Sequence, residues 1–322
     1  MTTLVEIDAI QRARQRIAGV VRVTPLLPAS SDEAWVHLWL KCENLQAGGA
    51  FKLRGAFNFV SQLDPAIRAR GVITYSSGNH GQAMALAARR LGAPAVVVMP
   101  TTAPAVKVEG ARAFGAEVRF AGTTSIDRRL AAEALASERG VTIVPPFDHA
   151  DIIAGQGTVG LEIVDQRPDV TTVYVPVGGG GLVSGVAAAV KRLAPSVRVI
   201  GVEPAGAPKM TRSLAAGEPT TLDSIDSIAD GLLAVRPGDL TFAHVQALVD
   251  EVVTVSDDEI REAMRFLVRQ SKIVAEPSGA ASVAGALRMA PEGSRGVHVA
   301  VVSGGNLEMS VLRAILEGVR PN

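Results

Sequence analysis

Short β-branched runs alternate with alanine-rich stretches of helical period along most of the chain. Val72 to Tyr75 precedes His80 to Leu91, Ala95 to Met99 precedes Ala105 to Phe114, and Glu117 to Phe120 precedes Ile126 to Arg139. After Val141 to Val144 come a helical stretch near Asp151 to Asp165, the run Val173 to Val177, Leu182 to Leu193, and Val197 to Val202. A helix from Asp257 to Gln270, another after Pro277, the run Val297 to Val302 and a last helix from Leu307 close the pattern. Upstream, Ile7, Ile10 and Ile17 share helical spacing until Gly19, and Val36, Leu38 and Leu40 alternate with His37, Trp39 and Lys41 as in a half-buried strand. Alternation of this kind predicts an α/β protein with mostly parallel sheets covered by helices on both faces. Pro204 to Gly238, rich in Pro, Gly, Ser and Asp, reads as an excursion over the surface or a site mouth.

Composition narrows the partners. At 322 residues and 48% hydrophobic, the chain can bury large cores in one large or two medium domains. Its 32 basic residues balance 32 acidic ones, so neither nucleic acid nor an anionic membrane is expected as a partner, and the target is a small molecule. One cysteine, Cys42, excludes an internal disulfide and a cysteine zinc cluster. Glu6 and Asp8 near the start and the lack of a long apolar run argue against a leader or a membrane span, so the cytoplasm is the expected location.

In open parallel sheets ligands sit beyond the carboxyl ends of the strands. Four turns there carry chemistry. Gly48-Gly49-Ala50-Phe51-Lys52 either caps a helix near Leu53 with Lys52 solvated, or buries a lysine that forms an imine beside a stacking aromatic face. Ser76-Ser77-Gly78-Asn79-His80-Gly81-Gln82 opens a helix with hydroxyls and free N–H groups, a seat for a carboxylate; capping accounts for one such residue but poorly for the whole run. Gly178 to Gly181 presents consecutive N–H groups at a helix start, a phosphate cradle. Both G-x-G-x-x-G frames there fail, at Val183 and at Ser184, so Glu203 only imitates the ribose-binding acid of a dinucleotide fold. Ser303-Gly304-Gly305-Asn306 offers a hydroxyl that caps a helix or bonds a heteroaromatic ring nitrogen. Together a phosphate cradle, an imine-forming lysine, a carboxylate seat and a ring-nitrogen partner match pyridoxal phosphate carrying an amino acid. A non-catalytic ligand-binding module on the same fold would have no use for Lys52.

At this point the chain resembles the serine/threonine dehydratase (ammonia-lyase) and serine racemase family of fold-type II pyridoxal-phosphate enzymes. The resemblance rests on Lys41 to Gln46, Ala50 to Ala56, Ser76 to Gln82, Ala154 to Thr158, Gly178 to Gly181, Ile228 to Gly231, Glu276-Pro277 and Ser303 to Asn306, collinear from about Ala9 onward. It implies two three-layer doubly wound domains of the tryptophan synthase beta-like kind: residues 1–52 with 147–322 binding the cofactor, and 53–146 binding substrate. It implies that Lys52 holds pyridoxal 5'-phosphate as an internal aldimine and then acts as base, and that Phe51 packs on the ring. Asn79 would bond the ring oxygen, Ser303 the pyridine nitrogen, and Gly178, Gly179, Gly180 and Gly181 the phosphate. Ser76, Ser77, Asn79, His80 and Gly231 would hold the substrate, a small hydroxy amino acid, with a homo-oligomer, dimer or tetramer, as the working form. A neutral hydroxyl at Ser303 favours prompt loss of a β-leaving group, so the implied reaction is elimination from L-threonine or L-serine to a 2-oxo acid and ammonia. The related cysteine synthases usually have Thr where His80 stands. Ser77 matches the residue that in racemase-like members returns a proton to the opposite face, so serine racemase activity is an alternative, as is dehydration of 3-hydroxyaspartate, which would use Arg128. Arg128, in Ile126 to Leu130, otherwise reads as solvated. The chain stops soon after the helix following Asn306, so feedback inhibition through a C-terminal regulatory domain is not expected.

Departures from the family pattern are local. Gly48-Gly49-Ala50 replaces the usual Thr-Gly-Ser before Phe51-Lys52 and removes two hydroxyls. Members that use a divalent metal have a glutamate and an acidic residue shortly after; Glu203 and Ala207 align with that set, but Lys209 stands where the acid is expected. An ammonium there opposes a cation.

Overall fold

The computed structural model describes residues 3–76, 78–103 and 105–318. Among the described residues ten strands lie in two sheets. In chain order they are β1 (Leu26–Pro28), β2 (Leu38–Cys42), β3 (Val72–Tyr75), β4 (Ala95–Met99), β5 (Glu117–Phe120), β6 (Thr142–Ile143), β7 (Thr172–Pro176), β8 (Arg198–Pro204), β9 (Glu251–Val255) and β10 (His298–Val302). The larger sheet runs β1-β2-β10-β7-β8-β9, all parallel except β1, which pairs antiparallel with β2. The smaller sheet, β5-β4-β3-β6, is wholly parallel. The α/β expectation therefore holds.

Parallel strands need crossover helices, and these cover the sheet faces with apolar side chains. Val173, Val175, Val199 and Val301 pack under helix Gly181–Leu193 through Val183, Val186 and Val190 on one face of the larger sheet. Leu38, Leu40, Ala300 and Val302 pack against helix Pro277–Met289 on the other. Each strand buried on both sides contributes roughly 1.5–3 kcal/mol per large aliphatic side chain, which is why these runs are continuous rather than alternating.

That two-sided burial corrects the reading of β2 as half-buried. Leu38, Leu40 and Lys41 are all fully buried, whereas Val36, assigned to the inner face, is 68% exposed. Lys41 is tolerated inside because Glu162 meets its ammonium at 2.6 Å and Thr24 O accepts at 2.7 Å. The helix starting at Asp257 keeps α geometry only to Phe266; a π turn over Leu267–Ser271 ends it, with Lys272 in the left-handed region. Between Pro204 and Gly238 the excursion contains an α-helix, Lys209–Ala216, and a short 3-10 turn, Asp230–Leu232. Arg128 is half-buried, with its Nε unpartnered, rather than solvated. Among the described residues no helix is long and apolar enough to cross a membrane.

Candidate active site

Neighbouring strands deliver the site. β2, β10 and β7 lie side by side, and their carboxyl ends lead to the lysine turn, the Ser303 turn and the glycine turn. Gly48 and Gly49 take φ of 81° and 74°, the left-handed region that lets the chain reverse after Ala47. The turn is stitched to the Ser303 turn: Phe51 N donates to Ser303 O at 3.1 Å, Gly305 N to Gly49 O at 2.9 Å, and Asn306 Nδ2 to Gly48 O at 2.8 Å. No room exists for a side chain at Gly49, because a Cβ there would lie 2.2 Å from Asn306 Oδ1.

Lys52 leaves this turn at the start of helix Leu53–Ser61 and is half-buried. Its amine donates to Pro146 O at 2.9 Å and lies 5.1 Å from the Phe51 ring centre. Burial pulls its pKa down to about 8, since the charged form loses water. Two residues on, Arg54 is fully buried and forks onto Glu43 and Glu162, both at 2.7 Å, while Lys41 completes the cluster. Two cations and two anions balance beneath the lysine turn, and helix Ala150–Gln166, which carries Glu162, is locked to it.

Pro146 links the lysine to the turn Gly178 to Gly181, because the next residue, Phe147, lies against that turn. A Cβ on Gly179 would fall 2.4 Å from the Phe147 ring, and one on Gly181 3.0 Å from its Cβ. Gly180, at φ 100°, would meet Thr241 at 2.8 Å. Among the described residues the N–H groups of Gly178, Gly179 and Gly180 have no protein acceptor, and helix Gly181–Leu193 points its positive end at them. Gly179→Ala is therefore expected to keep the fold but weaken cofactor retention at least about tenfold by displacing Phe147 or the turn, measured by titrating pyridoxal phosphate into stripped protein.

From the smaller sheet, β3 leads into the turn before helix Asn79–Arg90. Ser76 Oγ accepts from Gly78 N at 3.2 Å, and Asn79 starts the helix. Asn79 donates to Glu276 through Nδ2 and accepts from Asn306 Nδ2 at 2.9 Å, so it joins this turn to the Ser303 turn. His80 is buried, with Nε2 3.2 Å from Val144 O; burial and then the Lys52 charge push its pKa down to about 3, so it is neutral. Ser77 lies outside the described residues. Gly231 N donates to Ser278 Oγ at 2.8 Å, and its carbonyl lies 3.2 Å from where a Cβ on Gly178 would be. Ser303 is buried, and its hydroxyl has only a 3.5 Å contact to Ser278 O.

Glu203 and Ala207 also converge, but on Lys209: its Nζ is 3.2 Å from Glu203 Oε1 and 3.1 Å from Ala207 O. Several partners were not read as contributors in the sequence. Glu276 was visible in its Glu-Pro block and Asn306 in its turn; Pro146, Phe147 and Thr241 carry no motif, and the Lys107–Asp230 ion pair joins residues 123 apart.

Loose polar groups on these turns suit pyridoxal phosphate. The glycine N–H groups lack acceptors, the Ser303 hydroxyl is nearly free, and Glu276 Oε2 is buried without a partner. The chain belongs to the pyridoxal-phosphate-dependent enzyme family, whose model matches residues 17–304. It is 41% identical to an L-threonine ammonia-lyase of Thermotoga maritima over 97% of this chain and 78% of that one. It is 40% identical to an L-threo-3-hydroxyaspartate ammonia-lyase of a Pseudomonas species over 95% and 97% of the two chains. The structure of maize serine racemase superposes with a TM-score of 0.91 at 39% identity, covering 98% of each chain.

Proposed function

We propose that this chain eliminates ammonia from small β-hydroxy amino acids, L-threonine and L-serine, giving 2-oxobutyrate and pyruvate. The observation that carries the proposal is the half-buried Lys52 amine, its pKa pulled down to about 8, beside Phe51 and one residue away from the wall of the glycine turn.

In this reading residues 1–52 and 147–322 hold the cofactor and 53–146 the substrate. Gly178 to Gly181 would hold the phosphate through N–H groups, Phe51 would pack on the ring, Asn79 would bond the ring oxygen and Ser303 the ring nitrogen. Bound pyridoxal phosphate supplies an electron sink for the α-carbon of an attached amino acid. Lys52 Nζ, neutral in about half the molecules near its pKa, takes the α-proton. Ser76, Asn79 and N–H groups at the helix start would hold the substrate carboxylate, and Gly231 would border it. His80 adds no positive charge, so the Lys52 amine is not opposed by a second cation. Ser303 would offer the ring nitrogen a hydroxyl rather than a carboxylate, which would not keep it protonated and would favour early departure of the β-hydroxyl, which would leave as water with a proton from the Lys52 ammonium.

Two consequences are measurable. Since kcat reports groups in the substrate complex, log kcat is expected to rise with pH, bend near about 8 and level above it, with no inflection from His80 near its ordinary value. A pH-independent kcat from 6 to about 9 would remove Lys52 as base. Assay of L-threonine, L-serine, D-serine and L-threo-3-hydroxyaspartate for 2-oxo acid release tests the substrate class, and the proposal fails if neither L-threonine nor L-serine is turned over. Ser77 carries the racemase alternative on sequence likeness alone; D-serine formed from L-serine by wild type and lost in Ser77→Ala would establish it as a side activity.

A further inference from the structure

Lys209 has the surroundings of a bound cation. Its Nζ lies 2.9 Å from Val177 O, 3.0 Å from Leu232 O, 3.1 Å from Ala207 O and 3.2 Å from Glu203 Oε1. Neither side chain of the Lys209–Glu203 pair reaches solvent. A neutral amine has two protons and a lone pair, whereas three carbonyl acceptors use three protons, so this geometry requires the ammonium. Burial lowers the Lys209 pKa, and the charge and hydrogen bond of Glu203 oppose that. The rest of Glu203 is also satisfied: Met210 N donates at 2.8 Å, Thr211 N at 2.9 Å and Thr211 Oγ1 at 2.8 Å.

Residues at this position do not fit the divalent metal that the family pattern suggested. The ammonium already lies between Glu203 and Ala207, and a divalent ion added to the same oxygens would place three positive charges on one carboxylate in a dry interior. We infer that Lys209 is a built-in cation, a tethered substitute for a free metal ion that orders one side of the active site. Its three carbonyls come from separate segments around the glycine turn: Val177 directly precedes Gly178, Leu232 follows Gly231, and Ala207 lies in the loop after β8. Lys209 is thus a positioning residue, and the protein needs no added cation to hold these segments together.

Charge balance says which ion would replace it. Lys209→Ala leaves an oxygen-lined gap with one negative charge, which a monovalent cation neutralises. Lys209→Asp leaves two negative charges, which a divalent cation neutralises. The test is the melting midpoint of the pyridoxal-phosphate-loaded wild type and both variants in metal-stripped buffer. Potassium, magnesium or calcium is then added, with tetramethylammonium at matched ionic strength as the control. The wild type is expected to melt alike in every salt. Lys209→Ala is expected to melt lower and recover by at least about 4 °C in potassium, and Lys209→Asp to recover similarly in magnesium or calcium. Recovery of either variant by its charge-matched ion, with an unresponsive wild type, supports the inference. A wild type stabilised by a divalent ion beyond the control overturns it. So do folded variants indifferent to every ion, or variants that fold in none of the salts.

Discussion

Lys52→Ala is expected to lower kcat for L-threonine or L-serine by at least about 10³-fold while leaving the circular dichroism spectrum unchanged. The expectation comes from the place of the amine rather than from its identity alone. A free lysine at pH 8 is almost wholly ammonium, with well under about 1% of the neutral base. At a pKa of about 8, roughly half of Lys52 is neutral. Alanine removes both the base and the attachment point but no packing that supports the sheet, because Phe51 and Leu53 keep the turn against the core. Lys52→Arg is expected to be no better, since a guanidinium stays charged at any working pH. A Lys52→Ala protein retaining more than about a tenth of wild-type kcat would contradict these roles.

Arg54→Met is expected to destabilise the fold by about 3–5 kcal/mol, the largest effect of any single change in the ion cluster. Arg54 is fully buried and neutralises two carboxylates; without it, Glu43 and Glu162 share Lys41 as their only cationic neighbour in the cluster. Arg54 also bonds Thr158 Oγ1 at 3.0 Å, so its loss removes a tie between two helices as well. Despite its burial, Glu43 is held below the usual carboxylate range by Arg54. Removing the guanidinium therefore exchanges a charge pair for a carboxyl that must take up a proton to stay inside. Chemical denaturation measures the loss, and Arg54→Lys should recover only part of it, because an ammonium cannot fork onto both partners. A change below about 1 kcal/mol for Arg54→Met would show that the cluster is dispensable.

Much of this architecture was legible because burial and sequence period agree. Val72 to Tyr75, Ala95 to Met99 and Glu117 to Phe120 form strands with those bounds, and the glycines at 48, 49 and 180 take the left-handed angles that their turns require. The candidate site turns follow strands, where parallel sheets place ligands, and that position is readable from the pattern. Other features escaped for physical reasons. Lys41 reads as the polar face of a strand until Glu162, 121 residues away, is seen to neutralise it. β9, with Val252, Val253 and Thr254 only partly buried at the sheet edge, lacks the strong apolar run that marks its neighbours. Lys209 could be read as opposing a metal but not as replacing one, since its carbonyl partners at Val177 and Leu232 carry no side-chain signal. Backbone oxygens, and charge pairs closed over a hundred residues, are invisible to pattern.

The account stands on one amine. Treating the purified, pyridoxal-phosphate-loaded protein with borohydride and mapping its peptides by mass tests that most directly. The account predicts the pyridoxyl phosphate label on residue 52 and nowhere else. A label on any other lysine, or an intact protein that binds the cofactor and takes no label, would contradict it.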